Sequence, residues 1–227
     1  MIKNNRPILI AGLGSIGHRH LCNLKLLGQK NIILYRTGKG AGRKDNIAGI
    51  PVEHDLKTAL SYNPVGAIIS NPTALHMPVA IAAACAGCHL LIEKPISHNF
   101  SGLRRLEHEA EKSKIRILMG YQFRFHPALR KIKEWLELET IGKVISVAAH
   151  WGEYLPGWHP AENYSKGYSA KRSLGGGVVN TLSHPFDYLR WFFGEVCSVY
   201  AITAKRSNLK IDAEDNAEIL LRFSGGA

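Results

Sequence analysis

Cysteine is scarce in this sequence, with four residues in a chain of 227. So few cysteines exclude a disulfide-stabilised scaffold. Cys85 and Cys88 form a Cys-x-x-Cys pair, a spacing that elsewhere binds metal ions or exchanges disulfides. Here the pair closes an alanine-rich helical stretch, and no second pair accompanies it. We therefore expect two ordinary small side chains of a packed helix and no metal site.

Long apolar runs are also missing. No window reaches the ~18 consecutive apolar residues that a membrane-spanning helix requires. Residues 1–6 lack the apolar core of a signal peptide. We therefore expect a cytoplasmic protein without a membrane partner. With 45% hydrophobic residues, the chain can form one large domain or two small ones, each with its own core.

Acidic residues are in the minority: 18 Asp and Glu stand against 29 Lys and Arg, which gives a formal net charge of +11. Such a balance suits nucleic acid, a membrane surface or an anionic small molecule. The basic residues are spread among glycine, acidic and apolar residues, and no segment forms a DNA-reading arm. We expect no nucleic-acid partner, since a solvated surface or a phosphate-bearing ligand explains the charge better.

The first half of the chain alternates short apolar runs with stretches of helical spacing. Such alternation predicts βαβ units and a parallel, doubly wound sheet. The predicted strands are residues 7–11, 31–35, 67–70, 89–92 and 116–120. The predicted helices are residues 16–27, 55–60, 75–86 and 101–114, with caps at Asp55 and Ser101. The glycine-rich, charged segment 38–49 predicts a loop in one crossover.

The pattern changes after Gly120. The pattern predicts a charged helix over residues 127–138, a strand over 144–151 and a long aromatic and polar loop over 152–174. It then predicts a second helix over 183–192 and two alternating stretches over 196–204 and 217–223. We therefore predict an α/β domain over residues 1–121 and an α+β domain with an open, mainly antiparallel sheet over residues 122–227. About three strands are few for a sheet, so we expect the second domain to be C-terminally incomplete.

Three glycines follow the first strand directly and precede a helix, in the sequence GLGSIG of residues 12–17. The first glycine allows a tight turn, the second lets the backbone approach a pyrophosphate, and the third lets helix and strand pack closely. The helix start adds free amides and the positive end of a dipole. The first domain is therefore predicted to be a Rossmann NAD(P)-binding domain. Its predicted phosphate contacts are Gly12, Gly14, Ser15, Ile16 and Gly17.

The position that would read the adenosine ribose carries no carboxylate. About twenty residues after the glycines, where an acidic side chain binds the 2′-hydroxyl of NAD, the chain reads Tyr-Arg-Thr. Arg36, followed by Lys39, Arg43 and Lys44, can neutralise a 2′-phosphate through charge-assisted hydrogen bonds. We therefore expect NADP in preference to NAD, with Arg36 as a cofactor-binding residue. Solvated loop charge is the alternative for Lys39 and Lys44.

Two more loops follow predicted strands at the edge where an open α/β sheet presents its ligand crevice. One holds Asn71, Thr73 and His76, and the other holds Glu93 and Lys94. With these loops the chain resembles the Gfo/Idh/MocA oxidoreductases, named for glucose-fructose oxidoreductase and inositol dehydrogenase. The motifs that carry the resemblance are GLGSIG (12–17), NPTALH (71–76), EKP (93–95), GYQFRFHP (120–127) and GGGVVNTLSHPFDYLRWFFG (175–194).

The resemblance implies hydride transfer between a nicotinamide cofactor and a secondary alcohol, with Lys94 and His184 as catalytic residues. In this family the lysine of EKP lies beside the nicotinamide and the substrate hydroxyl, where a lysine can polarise the hydroxyl or accept its proton. Imidazole titrates near neutral pH, which suits His184 as general acid or base. Asn180 stands where the family has Asp, and an amide cannot act as a base. Which of Lys94 and His184 is the base therefore stays open.

The resemblance implies further residues that contact the cofactor: Asn71, Thr73, His76, Glu93, Lys94 and Gln122. Arg124 is open between a ligand contact and an interdomain ion pair. Asp187 follows His184 by three residues on the same helical face, and we expect it to give structural support.

The loop of residues 152–171 mixes aromatic rings with hydrogen-bonding groups. Such a surface suits a carbohydrate, which offers apolar patches and many hydroxyls; packing beneath a long loop is the alternative. We expect a sugar or polyol substrate, bound by Lys94, Tyr154, Trp158, Tyr168, Asn180 and His184.

Two other functions use the same residues. Transient oxidation followed by return of the hydride would permit epimerisation or glycosidic cleavage without net cofactor turnover. A non-catalytic dinucleotide sensor is the third hypothesis; Asn180 favours it, and the retention of Lys94 and His184 speaks against it. The open sheet of the second domain favours a homo-oligomer for a full-length form.

Overall fold

A computed structural model describes residues 6–38, 47–160 and 162–225 of the chain. The chain divides into two compact units, Met1–Gly120 and Tyr121–Ala227. Most of the predicted glycine-rich loop, including Lys39, Arg43 and Lys44, lies outside the described residues.

The first unit is built on a six-stranded sheet. Its strands are β1 (Ile8–Ala11), β2 (Ile32–Tyr35), β3 (Val52–Glu53), β4 (Gly66–Ile69), β5 (His89–Ile92) and β6 (Ile117–Met119). They lie in the order β3-β2-β1-β4-β5-β6, and all the pairings are parallel. The predicted doubly wound sheet is confirmed. β3 was not predicted, since two residues carry no periodicity. Between β1 and β4 the strand order reverses, which opens a crevice at the carboxyl ends of the strands.

Helices cover both faces of this sheet. Those described are α1 (Ser15–Leu26), α2 (Leu56–Ser61), α3 (His76–Cys85) and α4 (Leu103–Lys112). Because alternate side chains of a strand point to opposite faces, Leu9 joins a cluster with α3 and α4, and Ile10 joins a second cluster with Leu21 of α1. The central strands are near-continuous apolar runs because both of their faces are buried.

The two predicted helix caps have different outcomes. The Asp55 carboxylate accepts the Thr58 N–H at 2.7 Å, as predicted, and this bond lowers the pKa of Asp55. The predicted cap at Ser101 is wrong, because Gly102 precedes α4 with φ +83°. A Cβ on Gly102 would lie 2.6 Å from Met77 Cγ, so close packing of α4 on α3 requires glycine there.

The second unit contains α5 (Pro127–Glu137), the short α6 (Val178–Thr181), α7 (His184–Phe193), β7 (Val196–Ala204) and β8 (Asn216–Phe223). β7 and β8 pair antiparallel. The predicted strand over residues 144–151 is wrong: within the described ranges the sheet of this unit has only β7 and β8. A strand needs a neighbour for its backbone N–H and C=O groups, and Ile145 and Val147 are 85% and 43% exposed.

Large apolar side chains are exposed on the β7–β8 ribbon. Val199, Tyr200 and Leu220 are 62%, 68% and 72% exposed. Contiguous exposed apolar surface is typical of interaction sites, and the homo-oligomer stays a prediction.

Among the described residues, no helix is both long and apolar enough to cross a membrane.

The two cysteines of the Cys-x-x-Cys pair have unlike environments. Cys85 ends α3 and is exposed, whereas Cys88 is fully buried. The Cys88 thiol donates to the Pro64 carbonyl at 3.3 Å, and burial raises its pKa to about 11. Cys88 is therefore a core side chain, as the sequence predicts.

We predict that iodoacetamide alkylates Cys85 in the folded protein at pH 8 and leaves Cys88 unmodified. The thiolate is the reactive form, and a pKa of about 11 leaves on the order of 0.1% thiolate at that pH. Mass spectrometry of the Cys85→Ser and Cys88→Ser variants measures each rate separately. Equal rates for the two cysteines in folded protein would contradict the burial of Cys88.

Candidate functional site

The turn between β1 and α1 packs against the end of β4. Gly12 has φ +92°, and a Cβ on it would lie 2.6 Å from the Asn71 backbone nitrogen. A Cβ on Gly17 would overlap the Gly12 carbonyl oxygen. The Ser70 hydroxyl lies 3.1 Å from the Ala11 carbonyl and 3.0 Å from that of Gly12, and donates to both. Two glycines and one serine thus hold the turn in place.

The start of α1 is open. Gly14 is exposed, its backbone is extended, and no protein atom among the described residues lies within 4 Å of where its Cβ would be. Within the described chain no side chain caps α1, and its first turn has no acidic residue. The first amides of a helix have no intrahelical acceptor, and this end of the dipole is positive. The residues present therefore fit the diphosphate of a dinucleotide.

The loop after β4 contains a buried acceptor. The Asn71 side-chain nitrogen donates to the Leu75 carbonyl at 3.0 Å, whereas Asn71 Oδ1 is buried with no hydrogen-bond partner among the described residues. Thr73, 3% exposed, begins a 3-10 turn. Because an unpaired buried acceptor is costly, Asn71 Oδ1 is an atom to which a bound molecule could donate a hydrogen bond.

The loop after β5 carries Lys94, which is half-buried and followed by a cis peptide bond to Pro95. Glu93 Oε1 accepts from His20 Nε2 of α1 at 2.7 Å, and Oε2 accepts from the Lys94 N–H at 3.4 Å. A Cβ on Gly120 would lie 2.9 Å from Glu93 Oε2. The Glu93 carboxylate is therefore enclosed by α1, its own loop and the end of β6.

His76 lies inside the first unit at 2% exposure. Its Nδ1 is 2.9 Å from the Pro95 carbonyl, and its Nε2 is 2.8 Å from the Asn71 carbonyl. Burial lowers the pKa of His76, while the two carbonyl acceptors act in the opposite direction. Since both ring nitrogens face the protein's own backbone, His76 belongs with the residues that hold these loops, not with those that touch a cofactor.

Arg36 follows β2 at the same edge of the sheet and is half-buried. Its N–H donates to the Glu53 carbonyl at 2.9 Å, and its carbonyl lies 2.6 Å from His54 Nδ1. The backbone at Arg36 is therefore held by the end of β3, which places the guanidinium-bearing residue at the rim of the crevice.

In the second unit, aromatic rings surround His184, the first residue of α7, which is 7% exposed. Phe123 packs edge-to-face on it at a centroid distance of 4.7 Å, and Trp151 and Tyr121 lie at 5.9 and 6.1 Å. Gln122 Nε2 is 3.5 Å from His184 Nε2. These three aromatic residues were not predicted, although Tyr121 and Phe123 stand two apart beside Gln122 in the GYQFRFHP motif.

Arg124 and Asp187 form a two-pronged ion pair within the second unit. Arg124 Nε and Nη2 donate to Asp187 Oδ2 and Oδ1 at 2.9 and 2.8 Å. Arg124 also lies 6.0 Å from the Trp191 ring centroid. The predicted alternative of an interdomain ion pair is therefore wrong, because the partner of Arg124 is on α7 of the same unit. Asp187 gives the structural support that was predicted, and a ligand contact of Arg124 stays a prediction.

The glycine run before α6 packs against two other segments. Gly177 has φ +99°, and a Cβ on it would overlap the Glu214 carboxylate. A Cβ on Gly176 would overlap the Tyr168 carbonyl oxygen. This packing brings Tyr168 next to the segment that leads into Asn180, whose side chain donates to the Gly176 carbonyl at 3.4 Å. Glu214 was not predicted, because only the folded chain brings it to the glycine run.

The two other predicted substrate residues lie earlier in the loop. Tyr154 is 71% exposed. Trp158 is half-buried, and its Nε1 is buried with no hydrogen-bond partner among the described residues. An indole N–H donates only, so Trp158 has a donor available for an acceptor such as a hydroxyl oxygen.

Two family models match this chain. One, described as "Oxidoreductase family, NAD-binding Rossmann fold", matches residues 6–121, and the other, "GFO/IDH/MocA C-terminal domain", matches residues 129–227. The myo-inositol 2-dehydrogenase of Thermotoga maritima is 29% identical and aligns with 96% of this chain and 65% of its own length. An uncharacterised oxidoreductase of Synechocystis sp. is 33% identical over 65% of this chain and 40% of its own length. The chain thus spans less than two thirds of these curated relatives.

Solved structures have the same fold. The WlbA dehydrogenase from Bordetella pertussis, in complex with NADH and UDP-GlcNAcA, superposes with a TM-score of 0.81 at 24% identity, covering 99% of this chain and 69% of that one. The myo-inositol 2-dehydrogenase from Lactobacillus plantarum gives a TM-score of 0.83 at 22% identity, covering 98% and 68%. At these identities the likeness establishes the shared fold.

We predict that Gly17→Ala destabilises the first unit by about 2 kcal/mol, because overpacking in a tight site costs ~1–3 kcal/mol. Gly14→Ala is the matched control: its Cβ meets open space, so stability should change by less than ~1 kcal/mol. Urea unfolding followed by circular dichroism measures both variants.

The four tryptophans all lie in the second unit, so their fluorescence reports on that unit alone. The Gly17→Ala loss is expected in the circular dichroism transition and not in the fluorescence transition. An unchanged circular dichroism midpoint for Gly17→Ala would refute the close packing of the turn.

Proposed function

Because this chain belongs to the Gfo/Idh/MocA oxidoreductase family, which two models match over residues 6–121 and 129–227, we propose that it transfers a hydride between a nicotinamide cofactor and a secondary alcohol of a sugar, cyclitol or sugar derivative. One observation carries the proposal. The open start of α1, Asn71 and Lys94 follow β1, β4 and β5, which are neighbours in a parallel sheet. A phosphate-binding turn, a buried acceptor and a lysine therefore share one sheet edge.

The proposed cofactor contacts are those of the open crevice: Gly12, Gly14, Ser15, Ile16, Gly17, Arg36, Asn71, Thr73 and Lys94, with Gln122 from the second unit. The amides of α1 would hold the diphosphate, and Asn71 Oδ1 would accept a hydrogen bond from an O–H or N–H group elsewhere on the cofactor. Arg36 pairs with a 2′-phosphate, which favours NADP over NAD. Glu93 and His76 act on the loops and not on the cofactor directly.

Hydride transfer leaves one proton to be moved by the protein. A bound nicotinamide would supply the acceptor for the hydride of the alcohol carbon, or the donor in the reverse direction. The proton of the alcohol oxygen passes to the Lys94 amine or to the His184 ring, and the C=O bond forms as the O–H bond breaks. The aromatic rings of Phe123, Trp151 and Tyr121 hold His184 at a defined orientation.

We propose that the second unit recognises a polyhydroxylated substrate. Asn180 and the Trp158 N–H supply neutral hydrogen-bonding groups, and Tyr154 and Tyr168 supply aromatic surface, a combination suited to a sugar ring. Relatives bear matching names: a myo-inositol 2-dehydrogenase of Thermotoga maritima and a levoglucosan dehydrogenase of Pseudarthrobacter phenanthrenivorans. Cyclic polyols and anhydrosugars are therefore the first substrates to test.

We predict that NADPH binds more tightly than NADH and that Arg36→Ala weakens NADPH binding about tenfold, the loss of one charge-assisted hydrogen bond. NADH binding should change less than about threefold, because NADH has no 2′-phosphate. Nicotinamide fluorescence measures both titrations, with Arg105→Ala, an exposed arginine of α4, as control. Failure of folded chain to bind either nucleotide would overturn the oxidoreductase proposal; tighter NADH binding would overturn only the NADP preference.

We predict that Lys94→Ala and His184→Ala each lower kcat by ~10²–10⁴-fold, the usual share of general acid-base catalysis, with nucleotide affinity nearly unchanged. Lys94→Arg separates charge from proton transfer, since arginine keeps the charge and does not give up its proton. If Lys94 moves a proton, Lys94→Arg stays as inactive as Lys94→Ala. Steady-state turnover of myo-inositol and levoglucosan is the measurement, and wild-type turnover in Lys94→Ala would contradict the assignment.

A further inference from the structure

We propose that His20 and His76 are positioning residues that hold the Lys94 loop from its two sides. His20 fixes Glu93, the residue before Lys94, and His76 fixes Pro95, the residue after it. This inference rests on the proposed catalytic role of Lys94 and assigns a function to two histidines whose ring nitrogens face a carboxylate and two backbone carbonyls.

The contact on the first side joins α1 to the start of the loop. His20 Nε2 lies 2.7 Å from Glu93 Oε1, and the two side chains are only 17% and 12% exposed. A carboxylate accepts and cannot donate, so Nε2 carries the hydrogen. The second Glu93 oxygen turns back to the Lys94 N–H at 3.4 Å. Glu93 thereby transmits the position of α1 to the backbone of Lys94.

The close approach of Gly120 completes the enclosure of the Glu93 carboxylate. A Cβ at Gly120 would lie 2.9 Å from Glu93 Oε2 and 3.0 Å from its carboxyl carbon. The end of β6 therefore leaves no room for a side chain beside the carboxylate. Glu93 has little freedom to turn away from His20, and a close-packed environment of this kind keeps one rotamer.

The contact on the second side joins the β4 and β5 loops. The His76 ring lies between the Pro95 carbonyl, 2.9 Å from Nδ1, and the Asn71 carbonyl, 2.8 Å from Nε2. His76 is 2% exposed and begins α3, so the ring is anchored on a helix packed in the core. One side chain thus spaces the loop that holds Asn71 from the loop that holds Lys94.

The two contacts link Lys94 to both parts of the predicted dinucleotide site. His20 stands three residues after Gly17 on α1, the helix whose start fits the diphosphate, and Asn71 belongs to the loop that packs on Gly12. A displacement of about 1 Å at a catalytic group can cost on the order of 10² in rate. A lysine on a loop needs such supporting contacts on both sides to keep its position.

The two histidines differ in what can replace them. His20 makes its contact through Nε2 alone, and a glutamine amide reaches a similar position and donates. Both ring nitrogens of His76 face carbonyl oxygens, in opposite directions; a neutral ring donates to one of them, and a single amide group cannot fill the space between the two. We therefore expect His20→Gln to restore the wild-type properties that His20→Leu loses, and His76→Gln to remain impaired.

The test is hydrogen-deuterium exchange of the chain without any nucleotide, read at the amides of residues 93, 94, 96 and 97. We expect His20→Leu and His76→Leu to speed exchange there about tenfold relative to wild type. Amides of β1 and β4 should not change. His20→Gln should match wild type, and His108→Leu, an exposed histidine of α4, is the matched control.

Kinetics form the second arm. We expect His20→Leu to lower kcat ~10–100-fold, as expected for a misplaced catalytic group, with the substrate KM and the NADPH dissociation constant changed less than about threefold. Unchanged loop exchange in His20→Leu, or a loss confined to nucleotide affinity, would overturn the proposal. If His76→Leu unfolds the first unit, His20→Leu and His20→Gln alone decide it. If wild type turns over no polyol, the proposed function fails, and the exchange data still decide whether the histidines hold the loop.

Discussion

The first unit depends on the close approach of two backbones at the centre of its sheet. Gly12 and Asn71 follow neighbouring strands and come so near that no side chain fits between them. The Ser70 hydroxyl donates to the carbonyls of Ala11 and Gly12 in the same turn. This contact sets where α1 begins relative to the β4 loop. This contact therefore also sets the position of the proposed diphosphate site, of the buried Asn71 oxygen and of the loop that His76 joins to the Lys94 loop.

The loops of both units are held in place by individual side-chain contacts. Short loops carry the proposed site residues in both units, and each is held by side chains from elsewhere in the same unit: Glu93 by α1, Pro95 by α3, and the segment of Arg124 by α7. Function on loops needs such support, because a loop has no regular backbone hydrogen bonding of its own.

Much of the fold could be predicted from the sequence because local periodicity sufficed. The strands of the parallel sheet are buried on both faces, so their apolar runs stand out, and the helices between them have clear spacing. Prediction from the sequence failed where a contact with another part of the chain determines the local structure. Residues 144–151 alternate like a strand yet find no partner within the described chain, and Gly102 takes the cap position that Ser101 was expected to hold, since α3 packs against it.

The candidate site shows the same division. Glycines, Lys94 and His184 occur in spaced motifs, so the sequence predicts a role for them, and for Lys94 and His184 that role stays a prediction. His20, Ser70, Trp151 and Glu214 act through partners 33 to 73 residues away, and single-sequence patterns carry no signal for pairs that only the folded chain brings together. Of these residues, Ser70 is the one that a sequence pattern could have singled out, because it is a small polar residue at the end of an apolar strand.

The uncapped start of α1 has a thermodynamic consequence. A helix end whose amides lack acceptors is less stable than a capped one by about 1 kcal/mol, and an anion that binds there supplies the missing acceptors. Any ligand that binds only the folded state adds to its stability in proportion to the logarithm of its concentration. The first unit is therefore built to gain stability from its ligand, so that the amount of folded protein and the supply of dinucleotide are linked.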